Sequence, residues 1–175
     1  MYQMYDAFSR SFFYLATLIL RSMQLTKFTD FGLRVLMYLA AIPEQGLVTV
    51  GDLAQRFDIP KNHLNKVVNR MVKQGWIVAT PGRNGGVRMA QAPETLHLGD
   101  ILSVMEGHTQ LVDCEQPLCV FKGNCYLKRV LDAGQREFYT NMNRYSLAEL
   151  VQPETAGPQT ASIVARMHFQ PSVLQ

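Results

Sequence analysis

The chain has 175 residues, 47% of them hydrophobic, and a formal net charge of +3 at neutral pH. That length holds one domain, or one domain with an appended helix, and buries enough apolar surface to fold without disulfides. Three cysteines cannot all pair within one chain, and the chain as a whole is not basic enough to bind a polyanion through bulk charge alone.

The first 22 residues stand apart from the rest. Phe12 to Leu20 is apolar but far too short to span a bilayer. Arg10 and Arg21 flank it, and no small-residue cleavage site follows. Met23 opens a stretch that reads as an ordinary protein start. Residues 1–22 are therefore expected to be a non-native or unstructured extension, and the protein is expected in the cytoplasm without membrane association. A membrane anchor or signal peptide is the competing reading.

A helix is expected from Thr29 to Ile42, with Thr29 as its cap, Asp30 in its first turn and Pro43 at its end. Phe31, Val35, Leu36 and Leu39 surround it with apolar surface, which suits a buried position. After a short extended piece at Leu47 and Val48, Thr49-Val-Gly-Asp52 is an N-cap sequence for a short helix reaching about Phe57. Pro60 then suits the first position of the most regular helix in the chain. Leu64, Val67, Val68, Met71 and Val72 form its apolar stripe, Asn62, Lys66, Asn69, Arg70 and Lys73 its outer face, and Gly75 its stop. Two helices joined by a tight turn, the second polar and basic outward, make a helix-turn-helix.

Trp76 to Thr80 reads as a strand, Pro81 to Gly86 as a turn and Val87 to Ala90 as the returning strand. A hairpin directly after a recognition helix is a wing. A helix from about Leu98 to Glu106 follows, with Gly107 after it. Tyr126 to Met142 forms a helix of roughly 25 Å, more than a small domain needs, with Leu127, Val130, Leu131, Gly134 and Phe138 along one side. It reads as a dimerisation helix. Ser146-Leu-Ala-Glu149 is a capping box for a short final helix.

The expected architecture is mainly α. A winged helix-turn-helix domain occupies residues 23–107 and a cysteine loop residues 108–125. The long dimerisation helix and a short terminal helix fill 126–151, and a mobile tail 152–175. No catalytic constellation appears. His63, His97, His108 and His168 are dispersed, and no phosphate-binding glycine loop follows a strand, so the chain is not expected to be an enzyme.

Between Arg56 and Arg88 stand seven basic residues against Asp58 alone. Such a stretch suits either a polyanion-binding surface or a solvated helix face. If it meets DNA, Asn62, His63, Asn65 and Lys66 are placed to reach base edges from the start of the recognition helix. Arg83, Asn84 and Gly85 at the wing tip suit a minor groove, where arginine favours narrow A·T tracts. Arg70, Lys73 and Arg88 suit phosphates. A winged helix that binds another protein is the alternative. Useful operator affinity would call for a two-fold dimer on double-stranded DNA.

Cys114, Cys119 and Cys125 are the only cysteines and lie within one polar loop bent by Pro117 and Gly123. Four readings fit: buried structural cysteines, a disulfide with one spare thiol, a zinc site, and an iron–sulfur cluster. The C-x4-C-x5-C spacing is loose for structural zinc, and wide spacing suits a group larger than one ion.

Met23 to Arg34, Ile59 to Lys66, the wing Gly82 to Arg88 and the cysteine loop together resemble the NsrR/IscR family of winged-helix iron–sulfur regulators, in its nitric-oxide-sensing NsrR branch. The similarity runs from Met23 to about Val151. It implies a homodimeric transcriptional repressor with one cluster per protomer, [4Fe–4S] favoured over [2Fe–2S], held by Cys114, Cys119 and Cys125. The matching fourth ligand is Asp30 of the partner subunit, a residue that also reads as a first-turn acid stabilising its helix. IscR-type members use a histidine three residues after the last cysteine; Lys128 stands there, so that ligation is not available. His108 is a fallback ligand. The resemblance further implies that nitric oxide nitrosylates the cluster, operator DNA is released and nitric-oxide detoxification genes are derepressed. A zinc-stabilised regulator and a thiol-redox regulator are the competing readings.

Overall fold

The computed structural model describes residues 24–42, 47–82, 85–107 and 110–152. The expected extension at residues 1–22, Arg83, Asn84, His108 and nearly all of the expected tail lie outside them. Helix α1 (Lys27–Ala41) is capped by Thr26, whose hydroxyl accepts from the Thr29 N–H at 3.2 Å. The expectation that Thr29 is the cap is therefore corrected. Thr29 lies inside the first turn and is fully buried, while Thr26 remains exposed at the end. Ile42 leaves the helix in an extended conformation, φ −90° and ψ 151°, which the following Pro43 favours because its ring crowds a helical predecessor.

Helix α2 (Val50–Phe57) opens on a complete capping box: Thr49 Oγ1 accepts from the Asp52 N–H, and the Asp52 carboxylate accepts from the Thr49 N–H. It ends at Asp58 in the left-handed region, φ 53°. Helix α3 (Lys61–Lys73) follows almost at once. Pro60 is its cap rather than its first residue, and the Pro60 carbonyl accepts from the N–H groups of His63 and Leu64. Leu64, Val67, Val68 and Met71 are buried, as the stripe predicts; Val72, at its edge, is exposed. Gly75, φ 71°, ends the helix and turns the chain so that the Trp76 N–H donates to the Met71 carbonyl.

The wing is an antiparallel pair, β1 (Ile77–Thr80) with β2 (Gly86–Met89), in the register Ile77 to Met89 and Thr80 to Gly86. Trp76, expected at the head of the strand, is instead packed into the core. Val48 and Val87 exchange both backbone hydrogen bonds, at 3.1 and 2.8 Å, and so tie the wing to the segment ahead of α2. Gly86 is what permits this contact: a Cβ there would fall 2.8 Å from the Val48 carbonyl oxygen.

A short 3-10 turn (Pro93–Thr95) leads into α4 (Leu98–Glu106), which Gly107 ends at φ 65°. Helix α5 spans Tyr126–Met142, and α6 (Leu147–Val151) is capped by Ser146 and Glu149. The Leu147 N–H donates to the Leu96 carbonyl and the Leu98 N–H to the Tyr145 carbonyl, so the returning chain is stitched beside the start of α4. One core gathers α1, α2, α3, the wing, α4 and α6 around Leu36, Leu53, Leu64, Met71, Ile101 and Leu147. The fold is mainly helical with a winged helix-turn-helix, as expected. Helix α5 differs from the other long helices in having no fully buried residue. Among the described residues no helix is long and apolar enough to cross a membrane.

Candidate DNA-binding surface and cysteine centre

Packing decides what α3 presents outward. Its apolar stripe is held against α1 and α2, which leaves Asn62, His63, Asn65, Lys66, Arg70 and Lys73 exposed on the opposite side. Among the described residues Lys66, Arg70 and Lys73 take part in no ion pair, so their charge is not neutralised within the protein. Arg88 is exposed on β2, and one of its guanidinium nitrogens donates to the Met89 carbonyl. Gly85 is half-buried at the turn, where its N–H donates to the Gly82 carbonyl. Arg83 and Asn84, between them, lie outside the described residues. Arg56, counted in the basic stretch but not among the expected contacts, sits 5.1 Å over the Tyr38 ring and places a further fixed cation near the helix-turn-helix. Its spacing from Tyr38 carries no local sequence signal.

The cysteine loop folds by successive turns. Cys119 N–H donates to the Cys114 carbonyl, Lys122 N–H to the Cys119 carbonyl and Asn124 N–H to the Phe121 carbonyl. The Gln116–Pro117 peptide is cis and Gly123 has φ 93°. Cys125 caps α5, its Sγ accepting from the Lys128 N–H at 3.4 Å. These turns bring Cys114 and Cys125 to one cavity of about 360 Å³, together with Lys122, Lys128, Arg129 and Asp132. Cys119 is half-buried beside it and not on its lining. All three thiols are free. Partial desolvation pushes the Cys114 thiol above its ordinary value, Cys119 adds to this, Lys128 opposes it, and Cys125 and Asp113 raise it further.

The cavity is ringed by paired charges. Lys122 Nζ holds the Glu115 carboxylate at 2.7 Å, and Lys128 Nζ holds Asp132 Oδ2 at 2.7 Å. Among the described residues no three Cys, His, Asp or Glu side chains form a set for a single metal ion. Three thiols in one loop nevertheless have the donor chemistry of an iron–sulfur group, which spreads its ligands over several irons. Asp30 does not line the cavity. Both its oxygens face Arg34, one turn on, at 3.0 and 2.8 Å.

The family described as "Rrf2: Iron-dependent Transcriptional regulator" matches residues 25–153. Among solved structures, CymR, the global cysteine regulator of B. subtilis, is similar at 20% identity and a TM-score of 0.59, over 73% of this chain and 95% of that one. The oxidized form of Staphylococcus aureus CymR is similar at 18% identity and a TM-score of 0.57, over 72% and 94%. IscR of T. potens is similar at 20% identity and a TM-score of 0.57, over 72% and 84%. At these identities the likeness to each structure is one of fold. The family match, spanning every described helix, makes this chain a member of the Rrf2 family of transcriptional regulators.

Proposed function

We propose that the chain is a homodimeric, cytoplasmic, iron–sulfur repressor of the NsrR type, which senses nitric oxide and then releases operator DNA. The observation that carries this reading is the cysteine loop itself. Three free thiols, two of them on one charged cavity, lie just ahead of a helix whose apolar residues Leu127, Val130 and Phe138 are exposed on the protomer. Cys114, Cys119 and Cys125 would hold the group, [4Fe–4S] rather than [2Fe–2S], with Asp30 of the partner subunit as the fourth ligand on family resemblance. Bound there, an iron–sulfur group supplies a centre that reacts with nitric oxide.

The chain's own residues supply the rest. Asn62, His63, Asn65 and Lys66 would address base edges of double-stranded DNA, while Arg70, Lys73 and Arg88 bind phosphates and set the register. Arg83, Asn84 and Gly85 would place the wing in the minor groove. Cys125 is both thiol donor and cap of α5, so a change at the cysteine loop acts directly on the end of the proposed dimerisation helix. A shift of α5 would alter the spacing of two recognition helices on a two-fold operator.

Purification without oxygen, followed by the visible spectrum and iron, sulfide and zinc analysis, tests this. Stoichiometric iron and sulfide, with spectral change and loss of operator binding on adding nitric oxide, is the expected result. A colourless protein without sulfide overturns it. The second reading, a thiol-redox regulator, is favoured by the three free thiols and by the likeness to CymR in its oxidized form. It requires that metal-free protein bind operator and release it on oxidation.

A further inference from the structure

The start of helix α1 is held from a distance. The Thr26 N–H donates to Glu106 Oε1 at 2.8 Å, and the Thr26 hydroxyl reaches the same oxygen at 3.3 Å, across 80 residues of sequence. In α2 and α6 the carboxylate that accepts from the cap N–H stands three residues into the helix. Helix α1 has Thr29 at that position, and Glu106 of α4 supplies the carboxylate instead. A charged acceptor makes the stronger hydrogen bond, and an anion is favoured at a helix N-terminus.

The two ends of this contact lead to different places. On one side, the Asp30 N–H donates to the Thr26 carbonyl at 3.0 Å, so the turn that carries Asp30 hangs on the cap. Arg34 holds the Asp30 carboxylate, and Glu106 anchors the backbone from which that carboxylate rises. On the other side, Glu106 is the last residue of α4, and Gly107 ends the helix directly after it. The chain then runs on to Cys114, Cys119 and Cys125. Met105, next to Glu106, is buried with its tip over Gly32 of α1, so the two helices are in close contact here.

We propose that Glu106 is a positioning residue for Asp30. Through Thr26 it ties the turn bearing Asp30 to the root of the same protomer's cysteine loop. The inference rests on the reading above, in which Asp30 completes the centre of the partner subunit. Each protomer's hold on its partner's centre then depends on the state of its own loop. Loss of the group from one loop disturbs Glu106 there, and with it the Asp30 that serves the other centre. The two centres of a dimer are lost together rather than independently.

The test loads the full chain without oxygen, withdraws iron with a ferrous chelator and counts dimers with two, one or no groups by native mass spectrometry. Wild type is compared with Glu106→Ala, Glu106→Gln, Asp30→Ala and the double variant of Glu106→Ala with Asp30→Ala. Hydrogen exchange over residues 24–31 is followed in the metal-free chains. Wild type is expected to pass from two groups to none with few singly loaded dimers. Glu106→Ala is expected to exchange several-fold faster over that segment, to lose its groups several-fold sooner and to show singly loaded dimers in statistical proportion. Glu106→Gln keeps an oxygen for the Thr26 N–H and should follow wild type. The double variant should match Asp30→Ala alone, because Glu106 acts through Asp30. Wild-type retention and distribution in Glu106→Ala overturn the inference. So does an additive loss in the double variant, or a statistical distribution in wild type. Should Glu106→Ala not fold, Glu106→Asp, whose shorter side chain draws the carboxylate back from Thr26, decides under the same expectations. A wild type without sulfide overturns the iron–sulfur reading, and an Asp30→Ala chain that keeps its groups as wild type does overturns the ligand assignment; the inference falls with either.

Discussion

Asn143 and Asp100 hold each other by two reciprocal hydrogen bonds. The Asp100 backbone N–H donates to Asn143 Oδ1 at 2.8 Å, and Asn143 Nδ2 donates to Asp100 Oδ1 at 2.8 Å. His97, the cap of α4, makes no side-chain capping bond. Asn143, 43 residues away at the end of α5, therefore caps α4 in its place and joins the proposed dimerisation helix to the winged domain. Asn143→Ala is expected to lower stability by about 1–2 kcal/mol. Urea unfolding followed by circular dichroism measures it.

Gly99 sits at the same junction. A Cβ there would collide with the Tyr139 backbone carbonyl, which cannot swing aside as a side chain can. Gly99→Ala is expected to push α5 off α4, at a cost of about 1–3 kcal/mol typical of overpacking. Because Gly32 would meet the movable tip of Met105 instead, Gly32→Ala should cost less. Parallel urea titrations of the two variants rank them.

The apolar side chains of α5 give the dimer a direct check. Leu127 is 63% exposed and Phe138 41%, so the protomer gains little from them. Leu127→Glu with Phe138→Glu is expected to leave the fold intact and shift the molecule to monomer in sedimentation velocity. Unchanged dimer in that variant would remove α5 from the interface.

Exposed groups on α3 should divide by role. Lys73→Ala is expected to weaken binding to all DNA sequences alike and to reduce the salt dependence by about one counterion. Asn62→Ala is expected to relax preference at one base pair, worth about 1–3 kcal/mol of discrimination. Fluorescence anisotropy against operator and mismatched duplexes at several salt concentrations separates the two.

Glu149 ties α6 to pH. Its carboxylate accepts from the Ser146 N–H at 2.7 Å and from the Ser146 hydroxyl at 2.8 Å. The Ser146 backbone bond, the hydroxyl bond and His97 together hold it below its ordinary value of 4.5. A carboxylate depressed by folding stabilises above the unfolded value and loses that contribution as pH falls through the lower folded value. Glu149→Gln should thus lower Tm at neutral pH. The gap from wild type should close as pH falls below about 4, as thermal melts across pH will show.

Much of this arrangement was readable in residue order, for a local reason. Leu64, Val67, Val68 and Met71 repeat at helical spacing, and the face they share is buried in the structure. Thr49 with Asp52 and Ser146 with Glu149 announce capping boxes because both partners lie within one turn. The first helix shows where such reasoning stops. Thr26 and Thr29 are equally good caps by residue type, and only packing of the first turn against the core chose Thr26. Pro60 is the cap of α3 and not its first residue for a similar reason: a proline suits both positions, and residue type alone does not choose between them.

The sequence by itself determined the amphipathic elements, their caps, the basic outer face of α3 and the close spacing of three cysteines, since each depends on neighbours a few residues apart. Tertiary structure alone decided which thiols share a cavity, that both oxygens of Asp30 are taken by Arg34, and that Asp132 keeps one oxygen unpartnered. It also decided that Asn143 caps a helix 43 residues before it. Contacts of that kind depend on where the chain returns, and no local pattern of residues encodes the return.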